Sequence, residues 1–164
     1  MKEDKYEYHK IPEEYYYEFF SEGPKGKIKK LVRYKLISDS PDHVFNLSFG
    51  DWNEETFDAD DSITTNNKDR QKVLATVADT VLDFTLQHPK AFIFAQGSTL
   101  SRTRLYQIGI CAFWEEIGCL FRVIGYVDEE WTPFRKGVNF SGISDKTQIM
   151  FIFIKGFNWY KYGK

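Results

Sequence analysis

The residues of this chain best suited to chemistry stand together in Gly97-Ser98-Thr99-Leu100-Ser101-Arg102-Thr103-Arg104-Leu105-Tyr106, a segment that follows an apolar run and opens a helical pattern. A helix start offers unpaired backbone N–H groups and a partial positive charge, which is where anions bind. Gly97 allows close backbone approach, and Ser98 or Thr99 can cap the helix or donate a hydroxyl. Arg102 and Arg104 run against the preference of the dipole for acidic residues in the first turns, so their guanidinium groups call for anionic partners.

Two sources of anion fit. One is the chain itself, since Asp51, Glu54, Glu55, Asp58, Asp60 and Asp61 lie in an acidic stretch that could fold across the arginines, and ion-pair networks often look like sites. The other is a phosphate or carboxylate of a small molecule or nucleotide, with Gly97, Ser98, Thr99, Arg102 and Arg104 holding it and Asp51 or Asp69 as supporting acid, general base or metal ligand. The segment lacks the lysine of a phosphate-binding loop and the glycine spacing of a dinucleotide fingerprint.

Other chemistries find less support. Asp58-Ala59-Asp60-Asp61 starts like a calcium loop, but Ile63 stands where glycine is needed and Asp69 where the closing glutamate belongs. His9, His43 and His88 share no ligand spacing with one another or with Cys111 and Cys119, so neither a metal nor a cofactor is expected. Ser98 and Ser101 have no base nearby in sequence. The two cysteines sit in apolar surroundings and read as buried structural thiols.

The elements that must position these residues follow from composition and pattern. At 164 residues with 42% apolar and 18% aromatic content, the chain has the size and hydrophobicity of one folded domain. A formal charge of −2 gives no global pull toward nucleic acid or an anionic membrane. The polar, charged start carries no signal-peptide pattern, and the longest apolar run, Ile149 to Ile154, is far short of a membrane span, so a cytoplasmic location is expected.

Residues 1–12 read as a flexible lead before a single domain over 13–164. Alternation predicts strands from Glu14 to Phe20 and from Lys27 to Leu36, joined at Gly23-Pro24-Lys25-Gly26. Charge pairing favours a register of Phe20 with Lys27, Glu18 with Lys29 and Glu14 with Arg33, which makes the stripe Lys27, Lys29, Arg33 and Lys35 a neutralised solvated face. Further strands are expected over 43–49, 90–96, 120–127 and 148–155. Helices are expected over 69–87, capped by Asn66 or Asn67, and over 99–117. The order β-β-β-α-β-α-β-β implies an α+β fold, a largely antiparallel sheet of about six strands with two helices on one face.

With Tyr17-Glu18-Phe19-Phe20-Ser21, Asn46-Leu47-Ser48-Phe49-Gly50-Asp51, Asn66-Asn67, Val73-Leu74-Ala75-Thr76-Val77-Ala78 and the segment from Gly97 to Tyr106, the chain resembles an uncharacterised bacterial domain family found mainly in Bacteroidota. The likeness spans roughly residues 15 to 127 and a final strand at Met150-Phe151-Ile152-Phe153-Ile154-Lys155. That resemblance implies no substrate and no catalytic residue. Without a catalytic set, the leading expectation is a non-enzymatic binding or interaction module with a protein partner or a second copy, its aromatic residues, among them Trp52, Trp131, Phe134, Trp159 and Tyr160, clustered and exposed. The alternative is a protein or enzyme that takes a phosphorylated small molecule at the start of the second helix. Nucleic acid, which would need the strand lysines and the arginines in one patch, is disfavoured by the net charge.

Overall fold

A computed structural model describes residues 4–39, 43–60, 65–97, 99–127, 130–134 and 150–154. Among them are nine strands, β1 (Tyr8–Ile11), β2 (Tyr16–Gly23), β3 (Gly26–Ser38), β4 (His43–Asn53), β5 (Asp58–Asp60), β6 (Ala91–Gln96), β7 (Arg122–Val127), β8 (Glu130–Pro133) and β9 (Met150–Ile154). Three α-helices accompany them, α1 (Arg70–Gln87), α2 (Leu100–Ala112) and α3 (Trp114–Leu120). The strands form one sheet in the order β1-β2-β3-β4-β6-β9-β7-β8, with β5 attached to β4. Among the described residues all pairings are antiparallel except β4 with β6, whose connection holds β5 and α1.

The expected α+β class is therefore the observed one, and the six expected strands are all present. Short β1, β5 and β8 add to them, and the second helix is split at Phe113 into α2 and α3. The β2–β3 register is two residues away from the expected one, with Phe20 opposite Lys29, Glu18 opposite Leu31 and Glu22 opposite Lys27. The tight Pro24-Lys25 connection sets this register, since Gly23 pairs with Gly26, and turn geometry outranks surface charge in choosing it. A slip of two leaves each side chain on its expected face.

One face of the sheet is covered. Tyr17, Val32 and Phe49 align across β2, β3 and β4, and Tyr34, Leu47 and Ala95 across β3, β4 and β6. All six are buried together with Val77, Val81 and Phe84 of α1, Ile110 of α2 and Ile117 of α3. Phe84, fully buried, stacks on Tyr34 with ring centres 4.1 Å apart and meets Phe45 edge-on at 5.0 Å. Tyr15, at a left-handed φ of 55°, turns its ring edge-on to Phe45, Phe84 and His88.

The stretch expected as a flexible lead holds β1, and its side chains fasten it to α1. The Tyr6 N–H donates to Thr76 Oγ1 at 2.9 Å, Tyr8 donates to Asp79 at 3.1 Å, and Lys5 pairs with the same carboxylate at 2.6 Å. Asp83 accepts from Lys10 at 3.1 Å and from Tyr17 at 2.8 Å. Burial, reinforced by these carboxylates, pushes the Tyr8 and Tyr17 phenols well above their ordinary range. Asp79 and Asp83 stand four apart on one face of α1, which is how a single helix turn can serve two rungs of a neighbouring strand.

Candidate functional site

The segment from Gly97 to Tyr106 does open a helix after a buried strand, and each of its chemical groups can be followed. Thr99 is the N-cap of α2, its hydroxyl accepting from the Arg102 N–H at 3.2 Å. Gly97 is required by the helix itself, because a Cβ there would lie 2.3 Å from the Thr103 nitrogen and 2.5 Å from its hydroxyl. Arg102 is buried, donates from Nη1 to the carbonyl of Phe49 at 3.2 Å, and lays its guanidinium over the Phe49 ring. Arg104 is exposed. Ser98 lies outside the described residues.

The two supporting acids are elsewhere engaged. Asp51 is buried on β4 and binds Lys30 of β3 through one oxygen and the Thr65 hydroxyl through the other. Asp69 precedes α1 and accepts from Tyr6 at 2.9 Å and from Ser21. The structure thus places Asp51 and the Phe49 carbonyl that Arg102 binds two residues apart on β4, with Asp51 held by Lys30 and Thr65. Burying a lysine and a carboxylate together demands such pairing, since either charge left alone in the core is costly.

Asp69, rather than Asn66 or Asn67, is the cap residue of α1, and its side chain makes no cap bond. Asn67 is buried and does something different. Its Nδ2 donates to Ser21 and to the Gly26 carbonyl, both at 3.0 Å, while its Oδ1 accepts from the Lys25 N–H at 2.9 Å. It braces the β2–β3 turn, and a Cβ at Gly23 would fall 2.0 Å from the Asn67 carbonyl oxygen. No side chain fits between them.

The acidic stretch forms a hairpin rather than a lid. Asn53 Oδ1 accepts the N–H groups of Glu55 and Thr56, closing the turn between β4 and β5, and Asp58 binds Arg33. Lys29 pairs with Glu18 at 2.6 Å and Lys27 with Glu22 at 3.6 Å, so these positions of the basic stripe have neighbouring acids. Among the described residues no group of three or more His, Cys, Asp or Glu side chains stands ready for a metal. Cys111 in α2 is half-buried and Cys119 in α3 is exposed, against the expectation that both are buried.

On the sheet face opposite α1, sequence reasoning missed a run of alternating cations and rings. Lys27 Nζ lies 4.7 Å from the centre of Phe20, Lys29 Nζ lies 4.9 Å from Trp52, and Trp52 meets Phe57 edge-on at 6.1 Å. Phe57 is 74% exposed and holds a left-handed φ of 52° at the hairpin tip, a conformation that costs a non-glycine residue roughly 1–2 kcal/mol. Phe20 is also exposed. Trp131 is exposed on β8 and near Tyr126, whereas Phe134 is buried against Trp114 at 5.4 Å. Trp159 and Tyr160 lie outside the described residues. The available signal was Phe57 itself, an aromatic set among Glu54, Glu55 and Asp58 with no apolar neighbour in sequence.

A family model for a family of unknown function (DUF6934) matches residues 2–147. The chain belongs to this family. The resemblance to an uncharacterised domain is thus established at the level of a family, and the match takes in the residues from Gly97 to Tyr106 together with Asp51 and Asp69. No curated protein and no solved structure matches the chain. No described helix is long and apolar enough to cross a membrane.

Proposed function

We propose that the chain is a non-enzymatic interaction module of the bacterial cytoplasm, docking a partner protein or a second copy on the patch of Phe20, Trp52 and Phe57 with Lys27 and Lys29 among the rings. The observation that carries this reading is Phe57, a large apolar ring held out to solvent by a strained backbone at the tip of an otherwise well-bonded hairpin. Backbone strain persists where surrounding structure enforces it, and it gathers at functional positions. An aromatic cluster with a polar rim is the usual anatomy of a protein-binding hot spot. Asp51, Asp69 and Thr99, three residues of the alternative site, are drawn into structural bonds.

The test compares wild type with Phe57→Asp by sedimentation velocity and by capture of proteins from an extract of the source organism. An associated species or a specific captured protein, lost in Phe57→Asp at unchanged melting temperature, is the expected result. A monomer that captures nothing, or an association that Phe57→Asp leaves intact, overturns the reading.

A second reading keeps the start of α2 as a site for a phosphorylated small molecule, with Gly97, Ser98, Thr99, Arg102 and Arg104 as its residues. It draws on Arg104, exposed in the second turn of that helix, and on the buried cations Lys30 and Arg102 near the end of β4. A melting-temperature rise with inorganic phosphate or a sugar phosphate that disappears in Arg104→Ala would favour it.

A further inference from the structure

The bonds that fasten residues 4–11 run to two elements, β2 and α1 with the Asp69 that precedes it. β1 pairs with β2 from Tyr8 opposite Phe19 to Ile11 opposite Tyr16. Ahead of the strand, the Tyr6 ring stacks on Phe19 at 5.8 Å, its N–H donates to Thr76 and its hydroxyl to Asp69. Lys72 reaches back to Asp4 at 3.1 Å, Tyr8 and Lys5 share Asp79, and Lys10 and Tyr17 share Asp83. Residues 4–11 thus form a strap with specific, mainly polar attachments, and an identical strap from another molecule would make each of them equally well.

The connection behind the strap is short and holds an unfavourable backbone. Pro12–Glu14 make a single 3-10 turn with Glu13 and Glu14 exposed, and Tyr15 beyond it has a φ of 55°, a left-handed value that is an outlier for a bulky aromatic residue. Its neighbours impose that value. The Tyr15 ring is wedged edge-on among Phe45, Phe84 and His88, and its carbonyl accepts from the Tyr34 N–H at 3.1 Å, so the reversal of the chain into β1 is taken up at φ. Rotation about the Tyr15 N–Cα bond swings the residues before it away from the body while the ring and the carbonyl keep their places.

We infer that the strap is exchanged between two copies of this chain, the β1 of each docking on the β2 and α1 of the other, with Tyr15 as the hinge. Two opened chains close each other's gap. The ladder, the ion pairs and the phenol bonds are all re-formed, and the left-handed φ is released, which is why short hinges under strain favour exchange. The loss of freedom in joining two molecules opposes it, so the dimer gains with protein concentration. A strap must peel from β2 and α1 before it can exchange, so the conversion is slow beside a simple surface docking. The inference is independent of the patch at Phe57.

The experiment incubates the full chain at high concentration and separates monomer from dimer by size-exclusion chromatography, with Phe57→Asp alongside. His9 and Glu18 stand opposite each other in the ladder, so His9→Cys with Glu18→Cys, in a chain carrying Cys111→Ser and Cys119→Ser, sets a disulfide across the β1–β2 pair. In the monomer the oxidised bond lies within one chain; in the exchanged dimer it is expected to join two chains and to give a band of double mass on a denaturing gel without reductant. Inserting Gly-Gly-Ser-Gly between Glu14 and Tyr15 lets the chain turn back without a left-handed Tyr15 and is expected to lower the dimer fraction at least roughly tenfold, whereas Phe57→Asp leaves it unchanged. A chain that stays monomeric, or a dimer whose disulfides lie within single chains, overturns the exchange; if that dimer also vanishes in Phe57→Asp, the association belongs to the aromatic patch and the interaction reading stands. If the cysteine variant does not fold, the insertion decides, a dimer fraction that it leaves unchanged overturning the exchange and a lost dimer upholding it.

Discussion

The two long helices lie on the same sheet and are held in different ways. α1 is bonded along its length to β1, β2 and β3, through Thr76, Asp79, Thr80 and Asp83, and it centres the aromatic stack of Tyr34, Phe45 and Phe84. α2 is joined to β4 by Arg102, carries the buried Gln107 whose Nε2 has no partner among the described residues, and leaves a cavity between itself and α1. The side of the molecule built around α1 is close to fully satisfied. The side built around α2 retains an empty volume and an unmet donor, the kind of local shortfall in stability that accompanies function.

Substitutions can break this contrast. The largest effect is expected from Phe84→Ala, which empties the centre of the stack and should cost about 3–5 kcal/mol in denaturant unfolding. Ala95→Val, at the floor of the cavity on the other side, should cost far less or stabilise, because it adds volume where volume is missing. If the two were equally harmful, the cavity would not be the empty space described.

A smaller pair of changes tests the polar side of the contrast. Asp83→Ala strands the buried Tyr17 hydroxyl along with Lys10 and Gln87, and is expected to lower stability by about 1–3 kcal/mol. Gln107→Met should go the other way, raising stability by about 1 kcal/mol as it removes an unpaired buried amide. A loss at both positions would place a partner on Gln107.

The smallest expected effect concerns pH. His88 sits against Phe84, Phe45 and Tyr15, and burial, aided by Lys10, lowers its pKa below the ordinary 6.5. A histidine that resists protonation in the folded state contributes its stability in full above pH 6.5 and loses it as pH falls from there toward the folded value. The melting temperature of wild type should therefore drop more steeply than that of His88→Phe as pH is lowered through the slightly acidic range.

Much of the architecture could be read along the chain because it depends on local pattern. The alternation of Tyr15, Tyr17 and Phe19, the helical spacing of Val73, Val77, Val81 and Phe84, and the run Ala91-Phe92-Ile93-Phe94-Ala95 each declare a face or a burial. The first strand, Tyr8–Ile11, was not legible, because His9, Lys10 and the charged residues before Tyr8 read as a polar lead, as an edge strand does. The Gly97 to Tyr106 segment was legible as a helix start and illegible as a site, since sequence gives the residues of a cluster and not their partners.

By itself, then, the sequence determined the α+β class, the order of the main strands and helices, and a hydroxyl cap for the second helix at Ser98 or Thr99, all consequences of side-chain periodicity and backbone preference acting within a few residues. Only the tertiary structure decided that Asp51 would neutralise Lys30, that Arg102 would bind a backbone carbonyl, that Asn67 would brace a turn rather than cap a helix, and that small residues far apart in the chain would leave one cavity. Those outcomes depend on which elements the sheet and helices bring within a few ångströms of one another, and burial then favours arrangements in which charges and donors find their bonds there.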